Sequence, residues 1–129
     1  MRMTPAGVIV AAALLLLIAV AAGAFGAHAL RGVLAPELFA AFQTGVQYHL
    51  VHALGALVVA LLWLQWPQSA RLLSAVCALL IAGIVLFSGS LYALAITGVR
   101  GFGIVTPFGG VAWLGAWLLL AYAAFRANA

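Results

Sequence analysis

Four long apolar runs, separated by short segments carrying single arginines, leave this chain few folds to choose from. Each run is about 20 residues, the length that crosses a hydrocarbon core of roughly 30 Å as a helix. Inside lipid every backbone N–H and C=O must find its partner within the chain, and a helix does this within one segment. With 69% hydrophobic and 5% charged residues, no soluble domain of this size is a reasonable alternative. The spans are expected at about 6–30, 43–65, 72–96 and 107–125, with the second helix able to start earlier, at Pro36. Short connections make consecutive spans antiparallel neighbours. The expected fold is therefore all-α, a membrane-spanning up-down four-helix bundle forming one domain over residues 1–129.

The charges support this division. The basic residues are Arg2, Arg31, Arg71, Arg100 and Arg126, and Glu37 is the only acid. They sit singly between apolar runs, so they mark membrane boundaries and form no nucleic-acid-binding patch. Arg2, an apolar stretch and Ala27-His28-Ala29 together imitate a cleavable signal peptide. The stretch is long enough to span a bilayer, and it reads as the first helix. Pro36 and Pro107 suit first helical turns, Thr106 suits an N-cap, and Glu37 suits a positive helix start. Trp63 and Trp66 suit an interfacial belt. Arg2, Arg71 and Arg126 share one side against Arg31 and Arg100 on the other. The expected location is the inner (plasma) membrane, with both termini in the cytoplasm. Cys77 is alone inside an apolar run and has no internal disulfide partner.

Polar side chains crowd the opposite half of the bundle. His28 ends span one. Glu37, Gln43, Thr44, Gln47, Tyr48, His49 and His52 lead into span two. Ser88, Ser90, Tyr92 and Thr97 fall late in span three, and Thr106 opens span four. A polar group in hydrocarbon is costly without a partner or a role. At about 100° per residue, Thr44, Tyr48 and His52 share one face of span two, with Gln47 beside it and His49 at its edge. Phe39, Phe42, Val46, Leu50, Ala53 and Leu57 take the other face, expected toward lipid. Ser88 and Tyr92 share a face of span three, while Ser90 points away and can bond a carbonyl of its own preceding turn. The candidate polar pocket is His28, Thr44, Gln47, Tyr48, His49, His52, Ser88 and Tyr92. Arg31, Glu37 and Arg100 form a candidate charged rim, with Glu37 expected to pair with one of the arginines. Gly23, Gly26 and Ala27 on span one, and Gly109 and Gly110 on span four, are candidate helix-packing positions, because small residues let backbones approach in lipid.

Four motifs occur in order: Gly23-Ala24-Phe25-Gly26-Ala27-His28-Ala29-Leu30, Tyr48-His49-Leu50-Val51-His52-Ala53, Phe87-Ser88-Gly89-Ser90-Leu91-Tyr92 and Thr106-Pro107-Phe108-Gly109-Gly110. The chain thereby resembles the YgdD/YwdK family of small multi-pass membrane proteins, a domain of unknown function with a eukaryotic transmembrane relative. The resemblance covers nearly the whole chain and implies a membrane protein of unassigned function. It supplies no catalytic residues. One departure is visible: Ala116 separates Gly115 from Trp117, where the family has Gly-Trp.

The chain has no lysine and one acid, and no nucleophile with a recognisable base, so an enzyme is not expected. Neither metal nor cofactor is expected. A histidine-ligated haem or metal is an alternative, since His28, His49 and His52 gather in one half. An oligomeric proton or small-solute channel or transporter is another, although the polar residues stop about halfway. The leading reading is a non-enzymatic module whose half-membrane polar pocket binds a lipid, a small amphiphile or a partner membrane protein. The expected partners are the lipid bilayer and either further copies of the chain or a membrane complex served as accessory subunit, with no nucleic acid.

Overall fold

The computed structural model describes residues 3–127, and Arg2 lies outside the described residues. Four apolar helices long enough to cross a membrane cover Pro5–Leu30, Pro36–Gln65, Pro67–Thr97 and Arg100–Ala127. The chain is an all-α membrane protein, a bundle of four spanning helices. Each span begins or ends a few residues beyond its apolar run, because the interfacial turns remain helical.

The first span is α1 (Pro5–Phe25) continued by a wide π-helical turn, Gly26–Leu30. The Thr4 hydroxyl caps α1 by accepting from the Gly7 N–H at 3.1 Å, and Pro5 occupies the first turn, where its missing N–H costs nothing. The second is α2 (Pro36–Gln65), which starts at Pro36 with Glu37 in its first turn. The third is α3 (Ala70–Gly83), a second π turn (Ile84–Ser88) and α4 (Gly89–Thr97) in one continuous rod. Gly98, at φ 71°, ends it in the left-handed conformation that glycine adopts without strain. The fourth is α5 (Thr106–Ala127). Thr106 is its first helical residue and not a cap; its hydroxyl is engaged across the bundle.

Packing follows chain order. α1 rests mainly on α2, α5 on the third span, and α2 and the third span form the central pair. Accordingly, 39% of the most apolar window is buried in each central span, against 17% in each outer span. This arrangement overturns the expectation that the face of α2 carrying Phe39, Phe42, Val46, Leu50, Ala53 and Leu57 meets lipid. Phe42 and Ala53 are buried, because α1 covers the side assigned to lipid. The exposed stripe runs instead through Gln43, Gln47, Val51, Leu54, Val58 and Leu61. Trp63, expected at the interface, is buried within the main apolar core.

Glycines set the closest approaches. A Cβ on Gly26 would lie 2.8 Å from the Phe42 ring, and one on Gly45 would lie 2.9 Å from the Tyr92 ring. At Gly83 it would overlap the Trp113 indole. At Gly109 it would sit 2.5 Å from the Phe87 backbone nitrogen and 2.9 Å from the Gly83 carbonyl oxygen. Backbone therefore meets backbone where α5 crosses the second π turn. Neighbouring Gly110 is different, since its Cβ would meet only the Phe87 ring at 3.9 Å. Gly109→Ala should destabilise the bundle by about 1–3 kcal/mol, as overpacking does. Gly110→Ala should leave stability within about 0.5 kcal/mol. Reversible unfolding in mixed detergent micelles measures both.

Candidate functional site

Beside the π turn of span three, α2 and α5 are bridged by rings. His52 on α2 lies face to face with Trp113 on α5, with centroids 3.6 Å apart and planes at 4°. Tyr48, one turn earlier on α2, is parallel to both rings within 11°. Phe87, in the π turn, tilts against Tyr48 at 4.9 Å and Trp113 at 4.7 Å. Trp117 closes the far side of His52 at 5.8 Å. Such contacts contribute about 0.5–1.5 kcal/mol per pair beyond area burial.

Hydrogen bonds fix the orientation of the cluster. His52 Nδ1 is 2.8 Å from the Tyr48 carbonyl oxygen, which can only accept, so Nδ1 carries the proton. The bare Nε2 then accepts from the Trp117 indole N–H at 3.3 Å. Trp113 donates its indole N–H to the Leu80 carbonyl on α3 at 3.1 Å. Both ring nitrogens of His52 are engaged, which leaves neither free to ligate a metal. No group of three or more His, Cys, Asp or Glu side chains comes together among the described residues.

The rings wall a groove of about 500 Å³ between α2 and α5, completed by Pro107, Gly110, Val111 and Leu114. Tyr48 is 43% exposed. Its hydroxyl makes no hydrogen bond within the described residues, so it is the free polar group at the groove.

A second polar pair lies deeper. His49 is buried, with Nδ1 3.1 Å from the Tyr92 hydroxyl. Its Nε2 is buried and makes no hydrogen bond. Ser88, fully buried in the π turn, also has an unpartnered hydroxyl. Ser90 donates to the Phe87 carbonyl at 2.8 Å, which bonds its own preceding turn. With that hydrogen spent, Thr106 must donate to Ser90 Oγ across the 2.7 Å contact that ties α5 to α4.

The expected pocket residues therefore divide. Tyr48 and His52 belong to the aromatic groove, and His49 and Tyr92 form the deeper pair. Thr44 donates to the Ala40 carbonyl of its own helix at 3.0 Å. Gln47 is exposed on the outer stripe of α2. With Gln43, Gly23, Gly26 and Ala27 it lines a smaller recess of about 260 Å³ between α1 and α2. His28 is exposed, since the π turn buries Gly26 and Leu30 and turns His28 outward; it does not join the other histidines. Arg31, Glu37 and Arg100 are all exposed. Glu37 forms no ion pair with either arginine. The Arg31 guanidinium lies 6.0 Å over the Phe39 ring, and solvated charges at a membrane surface have little to gain from pairing. Phe87, Trp113, Trp117 and Ser90 were absent from the expected pocket. The four-residue spacing of Trp113 and Trp117, which stacks two indoles on one face of α5, is the signal that points to them.

Tyr92→Phe leaves the buried His49 imidazole without its partner and should cost about 1 kcal/mol, within the range for hydrogen bonds inside membranes. Tyr48→Phe removes an unbonded hydroxyl and should cost less than about 0.5 kcal/mol. Unfolding of both variants in the same mixed micelles distinguishes them.

A family described as protein of unknown function (DUF423) matches residues 22–110. Among similar proteins, the UPF0382 membrane protein YwdK of Bacillus subtilis is 46% identical over 110 residues, 85% of this chain and 89% of the relative. A UPF0382 membrane protein of Haemophilus influenzae is 41% identical over 109 residues, 84% of this chain and 86% of the relative. The UPF0382 inner membrane protein YgdD of Escherichia coli is 37% identical over 131 residues, 96% of this chain and 93% of the relative. No solved structure matches.

Proposed function

Because the chain belongs to this DUF423 family of membrane proteins of unknown function, its role has to be argued from its own geometry, and we propose that it is a non-enzymatic module holding a small amphiphile in the groove between α2 and α5. The carrying observation is the ring-walled groove itself. The ring nitrogens of His52, Trp113 and Trp117 are engaged by the Tyr48 carbonyl, the Leu80 carbonyl and the His52–Trp117 bond, so these walls offer flat apolar faces, and the Tyr48 hydroxyl remains to meet one polar group of a ligand. Pockets of this kind, mostly apolar with few convergent polar groups, suit amphiphiles that partition into the bilayer. A planar, weakly polar head fits parallel rings better than a bulky charged one.

The location that goes with this reading is the inner membrane, with both termini in the cytoplasm. It accords with the inner-membrane relative and with Arg71 and Arg126 on the terminal side. The groove lies in the half away from the termini, so its occupant would enter laterally from the outer leaflet. Nothing in the ring cluster assembles a nucleophile with a base, which favours binding over turnover.

Native mass spectrometry of protein released from nanodiscs tests the reading. The wild type should retain a small amphiphile at one copy per chain. Trp113→Leu should lose it, and Tyr48→Phe should weaken retention about five- to ten-fold, as removal of one hydrogen bond does. Equal retention by all three proteins, or none by the wild type, would sink the proposal.

A further inference from the structure

The end of the bundle opposite the aromatic groove carries a separate cleft. It lies where the turn between α2 and α3 meets the last turn of α5, and it is lined by Gln68, Ser69, Arg71, Leu72 and Arg126, with a volume of about 400 Å³. We infer that this cleft binds the phosphate group of an anionic phospholipid headgroup.

Two arginines from separate helices line it. Arg71 is in the first turn of α3, and Arg126 is in the last turn of α5, with its guanidinium 6.0 Å over the Tyr122 ring. The only acid in the sequence, Glu37, begins α2, whereas the cleft lies beyond the other end of that helix, so it supplies no counter-charge. Ser69 provides the second, independent observation. It is 7% exposed and lines the cleft, yet its hydroxyl does not cap α3 and makes no hydrogen bond among the described residues. A serine at a helix start ordinarily caps the first turn. The hydroxyl is left free and open to the cleft, where an oxyanion would accept from it. Two guanidinium forks, a hydroxyl and the Gln68 amide together offer the donors that a phosphate, with its several acceptor oxygens, satisfies.

Lipid is favoured over free phosphate by the remaining wall. Leu72 lines the cleft, and both it and the half-buried Trp66 pack against the main apolar core, which gives the charged site an apolar side on which an acyl chain can lie. Basic pockets between helices at the membrane surface recognise phospholipid heads by this combination.

The test uses the full chain in nanodiscs of phosphatidylcholine doped with phosphatidylglycerol, and native mass spectrometry reads which lipid stays bound. The wild type should retain phosphatidylglycerol in preference. Arg71→Gln and Arg126→Gln should each lower that preference about five-fold, as expected for one basic residue at a membrane surface. Ser69→Ala should lower it without altering charge, and Arg126→Lys should restore part of it. Arg100→Gln, which removes the same charge at the other end, should change nothing. An equal loss in Arg100→Gln would reduce the effect to overall charge and overturn the site. Displacement of the lipid by millimolar inorganic phosphate, with phosphate bound in lipid-neutral discs, would overturn the assignment to lipid. Amphiphile retention at the groove between α2 and α5 should be the same in every one of these variants, which separates this test from that of the proposed function.

Discussion

The close approach of the third span and α5 at Gly83 and Gly109 holds the polar half of this bundle together. Hydrophobic exclusion does not drive helices together in lipid, so packing has to come from shape. The missing side chains at Gly83 and Gly109 provide that shape: the Trp113 indole fills the space at Gly83, and the Phe87 backbone fills the space at Gly109. Once Trp113 is held there, its N–H reaches the Leu80 carbonyl and its face meets His52. His52 then accepts from Trp117, and the Ser90–Thr106 contact closes the same seam one turn away. Each of these contacts needs the helices at this spacing. A bulkier residue at either glycine would separate all of them at once.

The four spans were legible in the sequence because length and apolarity alone decide them. The interior was less so, and α2 shows why. A helix wheel separates polar from apolar positions, but in a membrane apolar residues face both lipid and neighbouring helices. Phe42 and Ala53 therefore could not be told from lipid-facing residues until α1 was seen to cover them. The polar positions were more informative. Tyr48, His49, His52 and Tyr92 do lie inside the bundle or at its groove, because hydrocarbon gives such groups few other places. His28 misled because its span ends in a π turn, and no pattern of hydropathy reveals one. The tryptophans of α5 went unassigned because an indole reads equally as an interfacial anchor or as a wall.

The two ends of the molecule differ in how their polar groups are satisfied. In the half away from the termini, most polar side chains bond within the protein, through contacts that link α2, the third span and α5. At the terminal end, two arginines and an unbonded serine hydroxyl line a cleft instead. A small bundle with a single acid can neutralise its own charges at one boundary at most. Here Glu37 pairs with neither Arg31 nor Arg100, and the arginines among the described residues are exposed at both boundaries.

The π turn at Ile84–Ser88 holds one more residue than the same stretch of α-helix would. In a regular helix the loss of one residue rotates everything beyond it by about 100°. Upstream in α3, such a deletion would carry Ser90 away from Thr106 and Tyr92 away from His49. Within the π turn it would tighten the coil to an ordinary helix, and the flanking segments would keep their facing. The turn is thus the place in the third span where chain length can vary while the contacts on either side stay in register.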